Sequence, residues 1–510
     1  MSRVLLIRPP HITPKAAVTV RTASLPLGLA YIASALRAAG HEVEIFDTVA
    51  LGMDQHWAYG NASIGTGLVD HEILDRITDR YDIIGISCMF ATDWKHTKKL
   101  TSEISHKCHN AVIVLGGEQV STVPEHSLRS SNADIIVIGE GEETIVEIAN
   151  SLDAQSDLTH IEGTYFYDKQ NNKIIQNARR KRIKKVDEIT PPAWDLFPMD
   201  PYLKGGGSTA WGKRKMAIAF SRGCPYQCTF CTSPNFWGTS WIPRNIDLIM
   251  EEIKFNIKTY NVNHFEVYDL TAIVNKTWSV QLAKRIIDEK LNVTWSIPSG
   301  TRSELLDEEM LSLLKQSGLN WFAYAPESGS TKTLQRIKKR VNKANMLKSM
   351  SICNKLGIYA NANMILGFPG ETHLDVWRTL LFCVQLAWNG VRDMNLAVYS
   401  PYPGAAIYNE ILAMKNKNPN EVEEIWSQAI DTNYFNVQSY SEHISNRALS
   451  IYIFTAIGLF YGSQYIIRPI RIYEFVRNVF FKNPKTVLEA FIHRKIKPPA
   501  QVKLINSFKN

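Results

Sequence analysis

The chain has 510 residues, 45% of them hydrophobic and 21% charged, and carries a formal net charge of +8 from 57 basic and 49 acidic side chains. That balance excludes disordered and fibrous classes and leaves room for about three domains of ordinary size. Seven cysteines, an odd number with three bunched together, exclude a disulfide scaffold and point to a reducing compartment.

Met1 leads straight into the apolar residues 4–7 with no secretory pattern, so the expected location is the cytoplasm. Residues 1–150 alternate short apolar runs with helical stretches, at 4–7, 27–39, 42–46, 83–86, 111–115 and 135–138. The alternation predicts an α/β domain, a doubly wound parallel sheet with crossover helices. In such folds the ligand sits beyond the carboxyl ends of the strands. The loops expected there are Pro9-Pro10, Ser87-Cys88-Met89, Gly116-Gly117-Glu118 and Gly139-Glu140-Gly141-Glu142. Their small residues let a flat ligand approach closely. By pattern alone the domain binds a flavin, a nucleotide or nothing.

Residues 151–210 read as a linker, punctuated by Pro191-Pro192 and Gly205-Gly206-Gly207. They hold the basic run Arg179, Arg180, Lys181, Arg182, Lys184 and Lys185. Such a run can draw nucleic acid or an acidic membrane. With no aromatic residues interleaved it reads as a solvated hairpin or linker, and no nucleic-acid partner is expected.

From 211 to 405 a second series begins, with strands near 216–220, 265–268, 293–296, 321–325, 359–365 and 394–399. Six units imply a partial (β/α)6 barrel whose site lies at the strands' carboxyl ends. Directly after the first strand, residues 221–232 read Ser-Arg-Gly-Cys-Pro-Tyr-Gln-Cys-Thr-Phe-Cys-Thr. A four-iron cluster takes four thiolates, so Cys224, Cys228 and Cys231 in one loop leave one iron open for a substrate or cosubstrate. Gly223 and Pro225 suit a loop wrapped round a bulky ligand. The alternative is a structural zinc loop, which calls for a second cysteine pair or spaced histidines, and none follows. Cys88, Cys108, Cys353 and Cys383 read as core residues.

Later strands end in Asp269, in Ser299 and Arg302, in Glu327-Ser328-Gly329, and in residues 367–371 with Gly367 and Glu371. This convergence suits a zwitterionic cosubstrate, its carboxylate on an arginine or serine and its amine on an acidic side chain. Ser299, Arg302 and Asp269 can equally be capping or turn residues. Residues 406–510 are mainly helical and aromatic, and are expected to cover the barrel mouth and shape the substrate pocket. The apolar stretch 451–467 falls short of the roughly 20 residues that span a bilayer, so it reads as a buried helix. Arg468, Arg471 and Arg477 leave peripheral attachment to an anionic membrane as the alternative.

The C-x3-C-x2-C loop, with Phe230 between its last two cysteines, resembles the signature of the radical S-adenosylmethionine enzymes. Arg8-Pro9-Pro10, the run Leu-Pro-Leu-Gly-Leu-Ala at 25–30, the Ser87 loop and Gly116-Gly117 make residues 3–150 similar to a cobalamin-binding module. The barrel series closes with Tyr-Ser-Pro-Tyr-Pro-Gly at 399–404, again similar to the family. Together these features resemble the cobalamin-dependent branch that includes the anaerobic magnesium-protoporphyrin ester cyclase and many antibiotic-pathway methyltransferases.

The resemblance implies a [4Fe-4S] cluster on the three cysteines, with S-adenosylmethionine chelating the open iron. It implies cosubstrate contacts at Glu327 and Gly367, with Phe230 fitting the family, and cobalamin contacts at the Ser87 loop, Gly116 and Gly117; the strand-end loops add Ser299 and Arg302 as cosubstrate candidates and Gly139 as a cobalamin candidate. The reaction it implies first is methylation of an unactivated carbon by a 5′-deoxyadenosyl radical and methylcobalamin. A radical cyclase or oxidase is the rival, and a non-catalytic iron–sulfur or cobalamin carrier is the reading from another class. The partners implied are a small-molecule, lipid or peptide substrate and an external one-electron reductant of flavodoxin or ferredoxin type. Two departures stand out. Classical cobalamin proteins carry Asp-x-His-x-x-Gly; with Gly28 in the glycine position, Ala23 and Leu25 replace aspartate and histidine, so base-off cobalamin without a histidine ligand is expected. Family members often pair two aspartates where this chain has Asp269-Leu270.

Overall fold

The computed structural model describes residues 1–14, 23–168, 171, 173–205, 214–414, 423, 425–426, 434–481 and 484–496. Gly206 and Gly207 of the expected linker lie outside them. The N-terminal unit is built from β1 (Arg3–Arg8), β2 (His11–Pro14), β3 (Glu42–Asp47), β4 (His56–Tyr59), β5 (Ser63–Thr66), β6 (Ile83–Ser87), β7 (Val112–Gly116), β8 (Ile135–Val137), β9 (Thr164–Asp168) and β10 (Lys173–Gln176). Seven strands form one sheet in the order β10-β9-β8-β7-β6-β1-β3. Strands β3, β1, β6, β7 and β8 run parallel. Counting these alone, the order is 2-1-3-4-5, so the strand order reverses between β1 and β6, where the crevice for a ligand opens.

The continuous apolar runs are explained by burial on both faces. Leu5, Ile7, Ile84 and Ile86 pack against Trp94, Leu100 and Ile104 of helix Trp94–Lys107. On the other face Val4, Leu6 and Ile83 pack against Ala33 and Leu36 of helix Leu27–Ala38 and Ile145 and Ile148 of helix Glu142–Asp153. The sheet does not stop near residue 150. Strands β9 and β10 join it antiparallel, so the linker read over 151–210 includes two of its strands. Strands β2, β5 and β4 make a separate antiparallel sheet that follows β1.

The second unit holds β11 (Lys215–Ile218), β12 (Ser221–Arg222), β13 (Ile242–Pro243), β14 (His264–Val267), β15 (Thr294–Thr301), β16 (Leu319–Glu327), β17 (Tyr359–Leu366) and β18 (Asp393–Val398). Six of these lie parallel in the order β11-β14-β15-β16-β17-β18, the expected partial barrel. Phe265, Phe322 and Met364 are fully buried in its core.

The C-terminal region corrects one expectation. Helix Asn446–Ile467 packs along helix His373–Trp388 and touches β18. Tyr461 donates to Asp393 Oδ1 at 2.5 Å, and the Tyr434 hydroxyl donates to the Leu396 carbonyl at 2.7 Å. Only the start of the helix reaches the strand ends, where Leu449 lies against Gly367. The helix is not enclosed: Leu449, Ile453, Ala456 and Phe460 are buried, but Ile451, Phe454 and Ile466 face solvent. The apolar composition of 451–467 serves one buried face and one exposed one.

Tyr461→Phe removes a donor from a buried carboxylate at the β18 edge, and should cost about 1–3 kcal/mol of stability, read from the denaturant midpoint. An unchanged midpoint would detach this helix from the barrel's integrity.

Candidate cluster and cofactor site

The cysteine loop leaves β11 at the carboxyl end of the barrel sheet, and β12 pairs antiparallel with β13 to fold the loop back. Gly223 sits at φ 91°, and a side chain there would strike the Ser240 carbonyl and come within 2.8 Å of Arg182. Glycine is required because the loop passes backbone to backbone at that point.

Cys224, Cys228 and Cys231 are half-buried and unpaired by disulfides. Burial pushes the Cys224 and Cys228 thiols up; Cys231 and Cys228 add to the rise at Cys224, and Cys231 to that at Cys228. Two groups work the other way. The Tyr226 backbone N–H favours the Cys224 thiolate, and the Lys339 ammonium favours that of Cys228. The Ser233 N–H donates to Cys231 Sγ at 3.4 Å, and the Cys231 thiol donates to Ser233 Oγ at 3.2 Å. Thiolates served by N–H donors and a neighbouring cation fit an iron–sulfur cluster, whose potential such contacts tune. The buried positions of Cys88, Cys108, Cys353 and Cys383 match the core role expected of them.

Around this loop the barrel brings most of the expected cosubstrate residues together. Glu327 ends β16 with φ 63°, is 6% exposed, and accepts from Lys339 Nζ at 3.0 Å. Burial opposes the Lys339 charge, but Glu327 and the Cys228 thiol outweigh it and raise its pKa. The Arg302 guanidinium lies 3.9 Å over the Tyr226 ring, between Cys224 and Cys228 in sequence, and donates to the Arg340 carbonyl. Ser299 donates to the Asp269 carbonyl. Gly367 N donates to Glu371 Oε2 at 2.8 Å, and Phe230 packs on Phe368 at 5.7 Å between ring centres. Phe230 thus anchors the loop to the Gly367 turn. Asp269 accepts from Phe220 N at 2.7 Å and from the Ser221 hydroxyl, yet burial lifts its carboxyl to about 7. Burial does the same to Glu371, also to about 7.

The N-terminal unit turns its strand ends to the same place. Ser87 pairs with Gly116 across β6 and β7, and Cys88 N donates to the Gly116 carbonyl at 2.7 Å. Gly117, at φ 120°, has no room for a Cβ, which would lie 2.5 Å from the Cys88 carbonyl oxygen. Gly139 N donates to Ser121 Oγ at 3.2 Å. Three contacts join these loops to the cysteine loop. Arg222 reaches Glu142 at 2.6 Å and Glu140 at 3.2 Å, all three side chains being buried or nearly so. Glu118, after Gly117, accepts from Thr232, after Cys231. Arg182 pairs with Glu140 at 2.7 Å and stacks on Trp237 at 4.9 Å. Arg180 meets Glu143 and Glu147. The basic run is therefore not solvated throughout: Arg182 ties Glu140 to the Trp237 carbonyl beyond the cysteine loop and Arg180 holds helix Glu142–Asp153, while Lys181, Lys184 and Lys185 stay exposed. Sequence reasoning missed Arg222, Glu118 and Lys339, because the signal for each lies in a partner more than ten residues away.

Residues 15–149 match the model of the B12 binding domain, and residues 218–383 match that of the radical SAM superfamily. An uncharacterised methyltransferase of Pyrococcus horikoshii is 29% identical over 81% of this chain and 83% of its own. The cytidylyl-2-hydroxyethylphosphonate methyltransferase of Streptomyces wedmorensis is 26% identical over 78% of this chain and 79% of its own. Among solved structures, the radical S-adenosylmethionine methyltransferase TsrM of Kitasatospora setae shares the fold, with a TM-score of 0.61 and 15% identity over 93% of this chain and 100% of its own.

Replacing Arg222 with methionine strands the Glu142 carboxylate and leaves Glu140 to Arg182 alone, and should cost about 3–5 kcal/mol, read by chemical denaturation. The Asp269 carboxyl titrates near 3.9 in the unfolded chain and near 7 in the folded one. The folded protein therefore holds an extra proton between these values, and this contribution to stability, full below about pH 4, is lost as pH rises through 7. Asp269→Asn should flatten that loss by up to about 3 kcal/mol between pH 5 and 8, compared by urea midpoints.

Proposed function

This chain belongs to the cobalamin-dependent radical S-adenosylmethionine enzymes, and on that premise we propose that it is a methyltransferase acting on an unactivated carbon. The observation that carries the reading is the meeting of the two strand-end regions: Glu140 and Glu142 of the first sheet hold Arg222, two residues before the first cluster cysteine. The names of the two methyltransferase relatives support it.

The cluster with S-adenosylmethionine supplies radical chemistry for breaking a carbon–hydrogen bond, and cobalamin supplies the methyl group. The chain's own residues set the stage. Cys224, Cys228 and Cys231 would hold the cluster. Lys339 steadies the negative charge of Cys228 and is itself fixed by Glu327. Arg302, stacked on Tyr226, is placed to meet a carboxylate. Ser87, Gly116, Gly117 and Gly139 form a side-chain-poor floor at the sheet's carboxyl ends, suited to a corrin face. Phe230, Phe368 and Tyr399 pack into an apolar wall on the far side of the cysteine loop and exclude water from it.

Leu25, in the position of the histidine of classical cobalamin proteins, is 4% exposed and packs in the apolar core. We therefore read cobalt as bound base-off, without an imidazole from that loop. The seven free thiols fit a reducing cytoplasm, where a flavodoxin- or ferredoxin-type donor would supply the electron.

Anaerobic reconstitution with iron, sulfide and hydroxocobalamin should give a full cluster and one cobalt per chain, with a base-off visible spectrum. Cys228→Ala should lose the cluster and abolish reductive cleavage of S-adenosylmethionine while keeping cobalamin. A substrate product heavier by one methyl, labelled from methyl-deuterated S-adenosylmethionine, supports the reading. A product with no added carbon would instead place the chain with the cyclases.

A further inference from the structure

Three helices on the outer wall of the barrel present large apolar side chains to solvent. On His373–Trp388 these are Leu374, Trp377, Leu381 and Trp388, which fall on one stripe at helical spacing. On Asn446–Ile467 the exposed face carries Ile451, Phe454 and Ile466, the last 81% exposed. On Ile470–Phe480 it carries Ile470, Tyr473, Val476 and Phe480. The stripes adjoin. Trp377 meets Tyr452 at 6.1 Å between ring centres, and Arg468 donates to the carbonyls of Ala387 and Trp388 at 2.9 and 2.8 Å. Exposed apolar surface of this extent marks an interaction face.

Its charge identifies the partner. The same helices carry Arg378, Arg447, Arg468 and Arg477 at the surface or half-buried, and Arg392 lies beside them, 38% exposed. Of the two acids on these helices, Asp375 is 2% exposed and Glu474 faces Arg392 at 3.4 Å. Trp, Tyr and aliphatic side chains bordered by five arginines against two acids match the boundary between acyl chains and anionic headgroups.

We propose that this face docks the enzyme on an anionic lipid bilayer, the apolar stripes entering the acyl boundary and the arginines meeting lipid phosphates. Docking is peripheral. Asn446–Ile467 is the one described helix long and apolar enough to cross a membrane, but its other side is held to the barrel through Tyr461 and Asp393, so it lies on the bilayer. The proposal is independent of the reaction catalysed.

The test is co-sedimentation of the full-length, cluster-loaded protein with vesicles of phosphatidylcholine alone or with about one third phosphatidylglycerol. The expected result is partition onto the anionic vesicles at least about tenfold stronger, falling as salt is raised. The pair Ile470→Asp and Val476→Asp, both on the exposed face, should cut that binding about tenfold with the melting temperature kept. Arg378→Glu, remote from the apolar core, should weaken binding to the anionic vesicles alone. Failure to bind either vesicle, or equal binding to both, overturns the proposal. So does a stable dimer in ultracentrifugation that the aspartate pair dissolves, which would give the face to a second copy of the chain.

Discussion

The arginine between two glutamates, Arg222 with Glu140 and Glu142, fixes the relation on which everything else at this site depends. Each member comes from a loop at the carboxyl end of a parallel sheet, and each is largely withdrawn from water. Burial by itself opposes the guanidinium charge, but the two carboxylates more than restore it, so the Arg222 pKa is raised. The net stabilisation of such a group is modest, but its geometry is demanding, because any displacement leaves charge unpaired in a low dielectric. The bridge therefore works as a register pin. The Tyr31 ring beneath the guanidinium, at 4.7 Å, gives the pin a flat seat on the first helix of the N-terminal unit.

Electrostatics in the barrel mouth follow from the same dryness. Asp269 and Glu371 are both raised to about 7, so each is partly protonated at neutral pH, since desolvation outweighs the hydrogen bonds each accepts. Glu327 is handled differently, by the buried Lys339 at 3.0 Å. The mouth thus holds less negative charge than its count of carboxyl groups implies. That suits a place where three thiolates must coexist, and where a carboxylate ligand would otherwise be repelled.

The fold was largely legible in the sequence because both sheets are parallel and buried on two faces. Residues 4–7 and 83–86 could only be such strands, and the barrel strands fell within a few residues of where periodicity put them. The cysteine loop was legible because its chemistry is local, three ligands within eight residues. What escaped was whatever depends on a distant partner. The basic run looked solvated, since nothing in residues 179–185 announces that Glu140, Glu143 and Glu147 will face it. Strand β10 was hidden by polar residues at a sheet edge, where alternation is weak. The stretch 451–467 was read as enclosed because composition reports how apolar a helix is, not how many sides of it are covered.

The interlocked loops also bear on how the two units come apart. Glu118 holds Thr232 on one flank of the cysteine loop, and Glu140 and Glu142 hold Arg222 on the other. Parting the two units would expose charged groups on both flanks at once, so the stitches resist separation together and fail together.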